Sequence, residues 1–140
     1  MIQVLLVEDD PGDVLMTQEA FADNHVNNTL HVVSDGVSAL DFLHKRGEYA
    51  DVPTPDLILL DLNLPRMDGR EVLAAVKGDP VLRQIPIVVL TTSEAEQDVL
   101  RSYELHANAY VTKPVEFHRF VEVVRQIDEF FVGVVRLPRR

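Results

Sequence analysis

The sequence contains no cysteine. This absence excludes disulfide bonds and metal sites built from thiolates, and it fits a reducing compartment, so we expect a cytoplasmic protein. No apolar stretch approaches the roughly 20 residues that a membrane-spanning helix needs. The amino terminus carries no charged region or cleavage pattern of the kind found in signal peptides. A membrane partner is therefore not expected.

Basic residues are also few, since 13 Lys and Arg stand against 23 Asp and Glu and give a net charge of -10. An acidic chain repels nucleic acid and anionic lipid, so neither is expected as a main partner. The length of 140 residues suits one domain with its own hydrophobic core. We expect a single domain over residues 1–140, with residues 132–140 as a C-terminal tail that contributes to an interface.

Short apolar runs alternate with helical patterns five times along the chain. Strands are predicted at 2–7, 29–33, 56–60, 85–91 and 109–112, and helices at 10–24, 36–45, 69–78, 94–106 and 115–135. Such alternation implies right-handed parallel crossovers and hence an open α/β sheet with helices on both faces. The segment 46–56 contains Pro53 and Pro55 and is predicted to be a surface loop without helix.

Polar residues gather where the predicted strands end. Glu8 and Asp9 follow the first strand, and Asp61 ends the apolar run of the third. Thr91 ends the fourth strand, and Lys113 follows the fifth. Because open parallel sheets bind ligands outside the carboxyl ends of their strands, these groups are expected to line one crevice.

The chemistry of this set favours phosphoryl transfer. Neighbouring carboxylates repel one another, and a hard cation such as Mg²⁺, which prefers oxygen ligands, relieves that repulsion. With a lysine and a hydroxyl donor nearby, Asp61 could serve as the nucleophile. A single strand-end aspartate is more often a helix cap or turn residue, and a lone lysine is usually at the surface. Four strand ends carrying Asp/Glu, Asp, Thr and Lys in that order favour the functional interpretation.

At these residues the sequence resembles the receiver domain of two-component response regulators. The resemblance covers about residues 2 to 130 and rests on the motifs "LLVEDDPGD", "LILLDLNLPRMDG", "IPIVVLTTS" and "YVTKPV", in the family's order and spacing. It implies a flavodoxin-like (βα)5 doubly wound sheet with strand order 2-1-3-4-5. It also implies that a partner histidine kinase passes its phosphoryl group to one aspartate, so the domain is a signalling module and not an enzyme, with at most slow self-dephosphorylation.

Matched motif by motif, the resemblance makes Asp61 the phospho-acceptor. It makes Asp9 a direct Mg²⁺ ligand, Glu8 a second acid that helps to hold the metal through water, and Asn63 a ligand through its backbone carbonyl. It also implies that Thr91 donates a hydrogen bond to a phosphoryl oxygen.

Further roles follow from the last of these motifs. Lys113 is expected to pair with the phosphate and to precede Pro114 through a cis bond. Tyr110 occupies the family's aromatic switch position and is expected to swing inward when Thr91 moves. The alternative for Tyr110 is an ordinary half-buried aromatic on an edge strand. The signal is expected to leave through the face formed by the fourth helix, the fifth strand and the fifth helix.

Thr92 departs from the commonest pattern, which has a small residue at that position, and this leaves the rate of dephosphorylation open. The segment "LTTS", the proline-bearing loop before the third strand and the lack of an output domain resemble the small stand-alone regulators of phytochrome-type histidine kinases.

The last predicted helix carries a wide apolar arc, about 200° against the roughly 100° that a core-facing helix needs. We expect a homodimer through this helix, with the interface residues Phe120, Val123, Phe130 and Val134. The alternative is that the arc covers a neighbouring helix of the same chain.

Three other functions fit the sequence less well. Haloacid-dehalogenase-like phosphatases also use a strand-end aspartate, but they need a second aspartate where this chain has Asn63. A flavin-binding module needs a hydroxyl- and glycine-rich loop where this chain has Glu8 and Asp9, which would repel the flavin phosphate. A degenerate receiver acting as a scaffold is disfavoured because every expected site residue is present.

Overall fold

The computed structural model describes residues 2–22, 28–62, 64, 66–91 and 109–112. Five strands and three α-helices lie in these ranges, in the order β1 (Ile2–Val7), α1 (Pro11–Ala22), β2 (Asn28–Val33), α2 (Gly36–Leu43), β3 (Leu57–Asp61), α3 (Gly69–Lys77), β4 (Ile87–Thr91) and β5 (Ala109–Thr112). The helices predicted at 94–106 and 115–135, and with them the tail at 132–140 and the predicted interface residues, lie outside the described residues.

The helix boundaries follow local capping chemistry. Asp10 directly precedes α1, and its Oδ1 accepts a hydrogen bond from the Gly12 amide at 3.1 Å. Asp35 caps α2 by accepting from the Ser38 amide at 2.7 Å. Asp68 caps α3 by accepting from the amides of Arg70 and Glu71. Each carboxylate satisfies amides that have no partner inside the first turn of its helix.

The prediction of a helix-free segment at 46–56 was wrong in its first part. A short 3-10 helix spans Gly47–Tyr49, and its first residue has a φ of 56°. Pro53 and Pro55 restrict only their own surroundings, so a single turn forms upstream of them. A second 3-10 helix, Leu82–Gln84, precedes β4, and β4 begins at Ile87, two residues later than predicted.

All neighbouring strands pair in parallel, in the order β2-β1-β3-β4-β5. This confirms the fold class and the flavodoxin-like strand order. β3 is central, and all five of its residues are buried, as expected for a strand covered on both faces. The chain order along the sheet reverses between β1 and β3, and this is where open α/β sheets form their ligand crevice.

One core cluster fills the space between the sheet, α2 and α3. It is built from alternate residues of the strands, such as Leu5, Ile58 and Leu60, packed with Phe42 of α2 and Leu73 of α3. The intervening strand residues, including Val4, Leu6 and Leu59, point to the opposite face and are buried as well. Among the described residues, no helix has the length and apolar character needed to cross a membrane.

Candidate functional site

Three carboxylates converge where β1 and β3 end. Val7 and Leu60 are register partners in these adjacent strands, so the residues that follow them, Glu8 and Asp61, emerge side by side. Carboxylate oxygens of Glu8, Asp9 and Asp61 all lie within 4.8 Å of one another. Glu8 is 1% exposed and Asp61 4% exposed, whereas Asp9 is open to solvent. The structure therefore brings together the three acids that the sequence predicted.

Backbone contacts on either side hold Glu8 in place. Its Oε1 accepts a hydrogen bond from the Asp10 amide at 3.1 Å. Its own amide donates to the Val33 carbonyl at 3.0 Å, beyond the last register pair of β1 and β2. The Glu8 carboxylate is thus fixed by the turn that leads into α1, and its backbone is fixed by the end of β2.

Asp61 is fixed through the start of α3. The Gly69 amide donates to the Leu62 carbonyl at 2.9 Å. A Cβ atom at position 69 would lie 2.6 Å from the Leu62 Cα and would also collide with the Asp61 carbonyl oxygen. Only glycine permits this close approach of helix to strand. Sequence reasoning did not identify Gly69 as a site residue, although an Asp-Gly pair opening a helix just after the candidate strand was an available signal.

The loop between β3 and α3 is tied to the start of α2. Arg66 Nη2 donates to Asp35 Oδ1 at 2.8 Å and to Ser38 Oγ at 3.3 Å. Burial alone would raise the pKa of the Asp35 carboxyl, but hydrogen bonds from Arg66 and Ser38 outweigh it and hold that pKa below its usual range. These contacts join residues that no local sequence pattern connects, so they were not predicted.

The donor set at the three acids fits a hard divalent cation. Carboxylate oxygens are the ligands that Mg²⁺ prefers, and one or two carboxylates with water and phosphate oxygens are its usual environment. Two of the three acids are almost fully buried, where like charges so close together need a compensating positive charge. Glu8, Asp9 and Asp61 therefore form a donor set that could hold Mg²⁺, and their role as metal ligands stays a prediction.

The backbone brings Thr91 to the same edge of the sheet, whereas Tyr110 lies two residues before the end of β5. Asp61 pairs with Leu90 of β4, so Thr91 follows directly beside it, and Thr91 in turn pairs with Thr112 of β5. Tyr110 pairs with Val89. For Thr91 and Tyr110 only the backbone is described. Asn63, Thr92, Lys113 and the bond to Pro114 lie outside the described residues, so their roles stay predictions.

Comparison with known proteins agrees with this geometry. A model of the response regulator receiver domain matches residues 4–125. Response regulator Rcp1 of Synechocystis sp. is 47% identical over 135 residues, which cover 96% of this chain and 92% of Rcp1.

Several solved structures are similar over nearly the whole chain, among them the following two. The Mn²⁺-bound form of Rcp1 has a TM-score of 0.93 and 46% identity, and the match covers 99% of this chain and 100% of that one. The phosphorylated cyanobacterial phytochrome response regulator RcpA has a TM-score of 0.92 and 46% identity, with 99% of each chain covered. The family match, the strand order and the three converging acids lead to one conclusion: this chain belongs to the response regulator receiver domain family, the signalling domains that accept a phosphoryl group from histidine kinases.

Proposed function

We propose that this chain is a stand-alone response regulator of a two-component phosphorelay, a single receiver domain over residues 1–140, and that Asp61 is its phospho-acceptor. One observation carries the proposal. The Asp61 carboxylate lies at the end of the central strand, almost buried, with carboxylate oxygens of Glu8 and Asp9 within 4.8 Å. A buried apolar strand that ends on an acid inside an acidic cluster suits a nucleophile better than a helix cap, and Asp61 precedes no helix directly.

The proposed reaction transfers a phosphoryl group from a histidine of the kinase to Asp61. A carboxylate oxygen of Asp61 attacks the phosphorus of a kinase phosphohistidine, and the phosphorus–nitrogen bond breaks. The electron pair of that bond returns to the imidazole ring, and the product is an acyl phosphate on Asp61. Close packing of Gly69 against the Asp61 backbone fixes the position of the attacking carboxylate. The low exposure of the Asp61 side chain limits the access of competing water.

Glu8, Asp9 and Asp61, with the backbone carbonyl of Asn63, are the residues that would hold Mg²⁺ in this proposal. When bound, Mg²⁺ supplies positive charge that offsets the charge of the phosphoryl oxygens. The pairing of Glu8 with the Asp10 amide keeps one carboxylate oxygen of Glu8 occupied by a backbone donor.

The signal in this proposal is a shift between two conformations. Thr91 donates to the phosphoryl group, Lys113 pairs with it, and Tyr110 turns inward as Thr91 moves. The equilibrium shifts at the face formed by the helix predicted at 94–106, β5 and the helix predicted at 115–135. The backbone register supports this route because Thr91 lies between Asp61 on β3 and Thr112 on β5.

The partner proposed is a sensor histidine kinase of the phytochrome type. Its support is the high similarity to RcpA, which is described as a phytochrome response regulator, over nearly the whole of both chains. A cytoplasmic location, expected from the cysteine-free sequence, and a homodimer through the last helix belong to the same proposal.

The proposal is tested by intact-protein mass after incubation with acetyl phosphate and Mg²⁺. Wild type is expected to gain the mass of one phosphoryl group, and the gain is expected to vanish in Asp61→Asn and in wild type with a chelator. An undiminished adduct on Asp61→Asn would overturn the assignment of the acceptor.

A further inference from the structure

We propose that the ion pair between Arg66 and Asp35 is a positioning pair for the acidic site, one that fixes the β3–α3 loop and so sets the affinity of the site for a divalent cation. The pair acts on the three acids through the backbone. The inference rests on the proposed function, because the ion pair has this role only if the three acids bind a divalent cation and must be held in fixed positions to do so.

The first observation is the conformation of Arg66. Its φ is 65°, in the left-handed region that side-chain-bearing residues seldom adopt. Such a conformation persists when surrounding contacts determine it, and strained positions of this kind cluster at functional sites. The contacts here are the two hydrogen bonds from Nη2 to Asp35 and Ser38.

The second observation is close packing beside the pair. A Cβ atom at Gly36 would lie 2.8 Å from the carbonyl carbon of Met67 and would collide with its oxygen. The residue after Arg66 therefore packs directly on the residue after Asp35. The loop is held to α2 by an ion pair and also by backbone packing. These two contacts involve different residues.

The third observation is that backbone contacts connect the Arg66–Asp35 ion pair to both buried acids, Glu8 and Asp61. On one side, the loop begins at Leu62 and ends at Gly69, which packs on the backbone of Asp61 and Leu62. On the other side, Val33 accepts from the Glu8 amide and leads through one residue to Asp35. The ion pair joins the β3–α3 loop to the segment that follows β2. A change in the pair is therefore expected to alter the position of Glu8 relative to Asp61.

The bland alternative is that this is a surface salt bridge of little consequence, with Asp35 serving only as the cap of α2. The molecule contains a suitable comparison for it. Arg46 and Asp41 form another ion pair at α2, at 3.1 Å, with side chains 58% and 39% exposed. The Arg66 side chain is similarly exposed at 57%, but Asp35 is only 14% exposed, and only its pair reaches the β3–α3 loop.

The test measures Mn²⁺ affinity from the electron paramagnetic resonance signal of the free ion, in wild type and four variants. Asp35→Asn keeps a side-chain oxygen for the Ser38 amide and removes the charge. Arg66→Asn removes the guanidinium while asparagine tolerates the left-handed backbone. The double variant completes a cycle, and Arg46→Ala is the matched control. Urea unfolding of each variant separates a loss of affinity from a loss of folding.

The expected result is that Arg66→Asn binds Mn²⁺ about threefold to tenfold more weakly than wild type, at or below the lower end of what partners behind metal ligands cost. Asp35→Asn should lose somewhat less, and the double variant should lose little more than Arg66→Asn alone. Arg46→Ala should bind as wild type. The rate of phosphorylation by acetyl phosphate should fall in the same order.

Two results would overturn the inference: wild-type Mn²⁺ affinity in both single variants, or an equal loss in Arg46→Ala. Should Arg66→Asn not fold, the comparison of Asp35→Asn with Arg46→Ala decides alone. Failure of the proposed function is a separate outcome, because wild type itself would then bind no Mn²⁺ or gain no phosphoryl group.

Discussion

The charges of Glu8, Asp9 and Asp61 are the main energetic feature of the site at the scale of single residues. Placing carboxylate oxygens within 4.8 Å of one another costs free energy, and two of the three side chains are nearly buried. The repulsion falls when a cation binds or when one acid is neutralised. A site of this kind gives up folding stability in exchange for affinity and reactivity.

Asp61→Asn is accordingly expected to stabilise the protein in the absence of divalent ions, by about 1 kcal/mol or more, since it removes one of three mutually repelling charges. With Mg²⁺ present, wild type should gain stability by mass action while the variant gains much less. Urea unfolding with and without Mg²⁺ measures both effects.

Asp51→Asn is the matched control, because it makes the same change of net charge at an exposed carboxylate in the loop before β3. It should leave the response to Mg²⁺ unchanged. The account of the acidic cluster fails if Asp61→Asn and Asp51→Asn respond to Mg²⁺ alike.

Sequence reasoning identified the three acids because each lies at or just beyond the end of an apolar run, and parallel strands bring such ends to one edge. It did not identify Arg66, Asp35 or Gly69. Their roles depend on the path of a loop across the start of another helix, and a path of that kind leaves no periodic pattern in the sequence.

At the scale of elements, the decisive contact is that between the start of α3 and the end of β3. It forms because position 69 has no Cβ atom and because the Gly69 amide reaches the Leu62 carbonyl. The backbone of α3 at Gly69 thus lies in direct contact with the backbone at the end of β3, and the position of Asp61 depends on where α3 begins.

Gly69→Ala should therefore lower the free energy of unfolding by about 1–3 kcal/mol, the cost of forcing an atom into a filled space. Gly12→Ala is the control, since Gly12 also lies in the first turn of a helix, and among the described residues its Cβ would meet only Asp10 Oδ1, at 3.6 Å. That variant should be neutral or more stable by about 0.5 kcal/mol through loss of unfolded-state freedom. Equal urea midpoints for the two variants would contradict the packing argument.

The strands were predictable because continuous apolar runs bounded by turn residues admit few alternatives. β1 and β5 have the predicted bounds, and each of the other three strands differs from its predicted bounds by at most two residues at either end. The 3-10 turn at Gly47–Tyr49 was missed because one turn is too short to show a helical period.

At the scale of the whole molecule, the open question is what reads the phosphorylated state. Alternation of strands and helices predicted a parallel sheet but not the order of its strands, which came from the family resemblance and is confirmed as β2-β1-β3-β4-β5. The wide apolar arc predicted on the last helix lies outside the described residues.

If that helix forms a homodimer interface, Phe130→Glu should convert a dimeric wild type into a monomer, because a buried charge without a partner opposes association. Sedimentation equilibrium measures the mass of each. Val81→Glu, which places the same charge on an exposed apolar residue in the described part of the chain, is the comparison and should leave the dimer intact. A dimer of Phe130→Glu as stable as wild type would remove this helix from the interface.

The central claim is that Asp61 receives the phosphoryl group, and site mapping tests it most directly. The protein is incubated with acetyl phosphate and Mg²⁺, reduced with borohydride, which converts an aspartyl phosphate to homoserine, and then digested and sequenced by mass spectrometry. Homoserine is expected at position 61 and at no other carboxylate. Homoserine at Asp9 or elsewhere, with Asp61 unchanged, would contradict it.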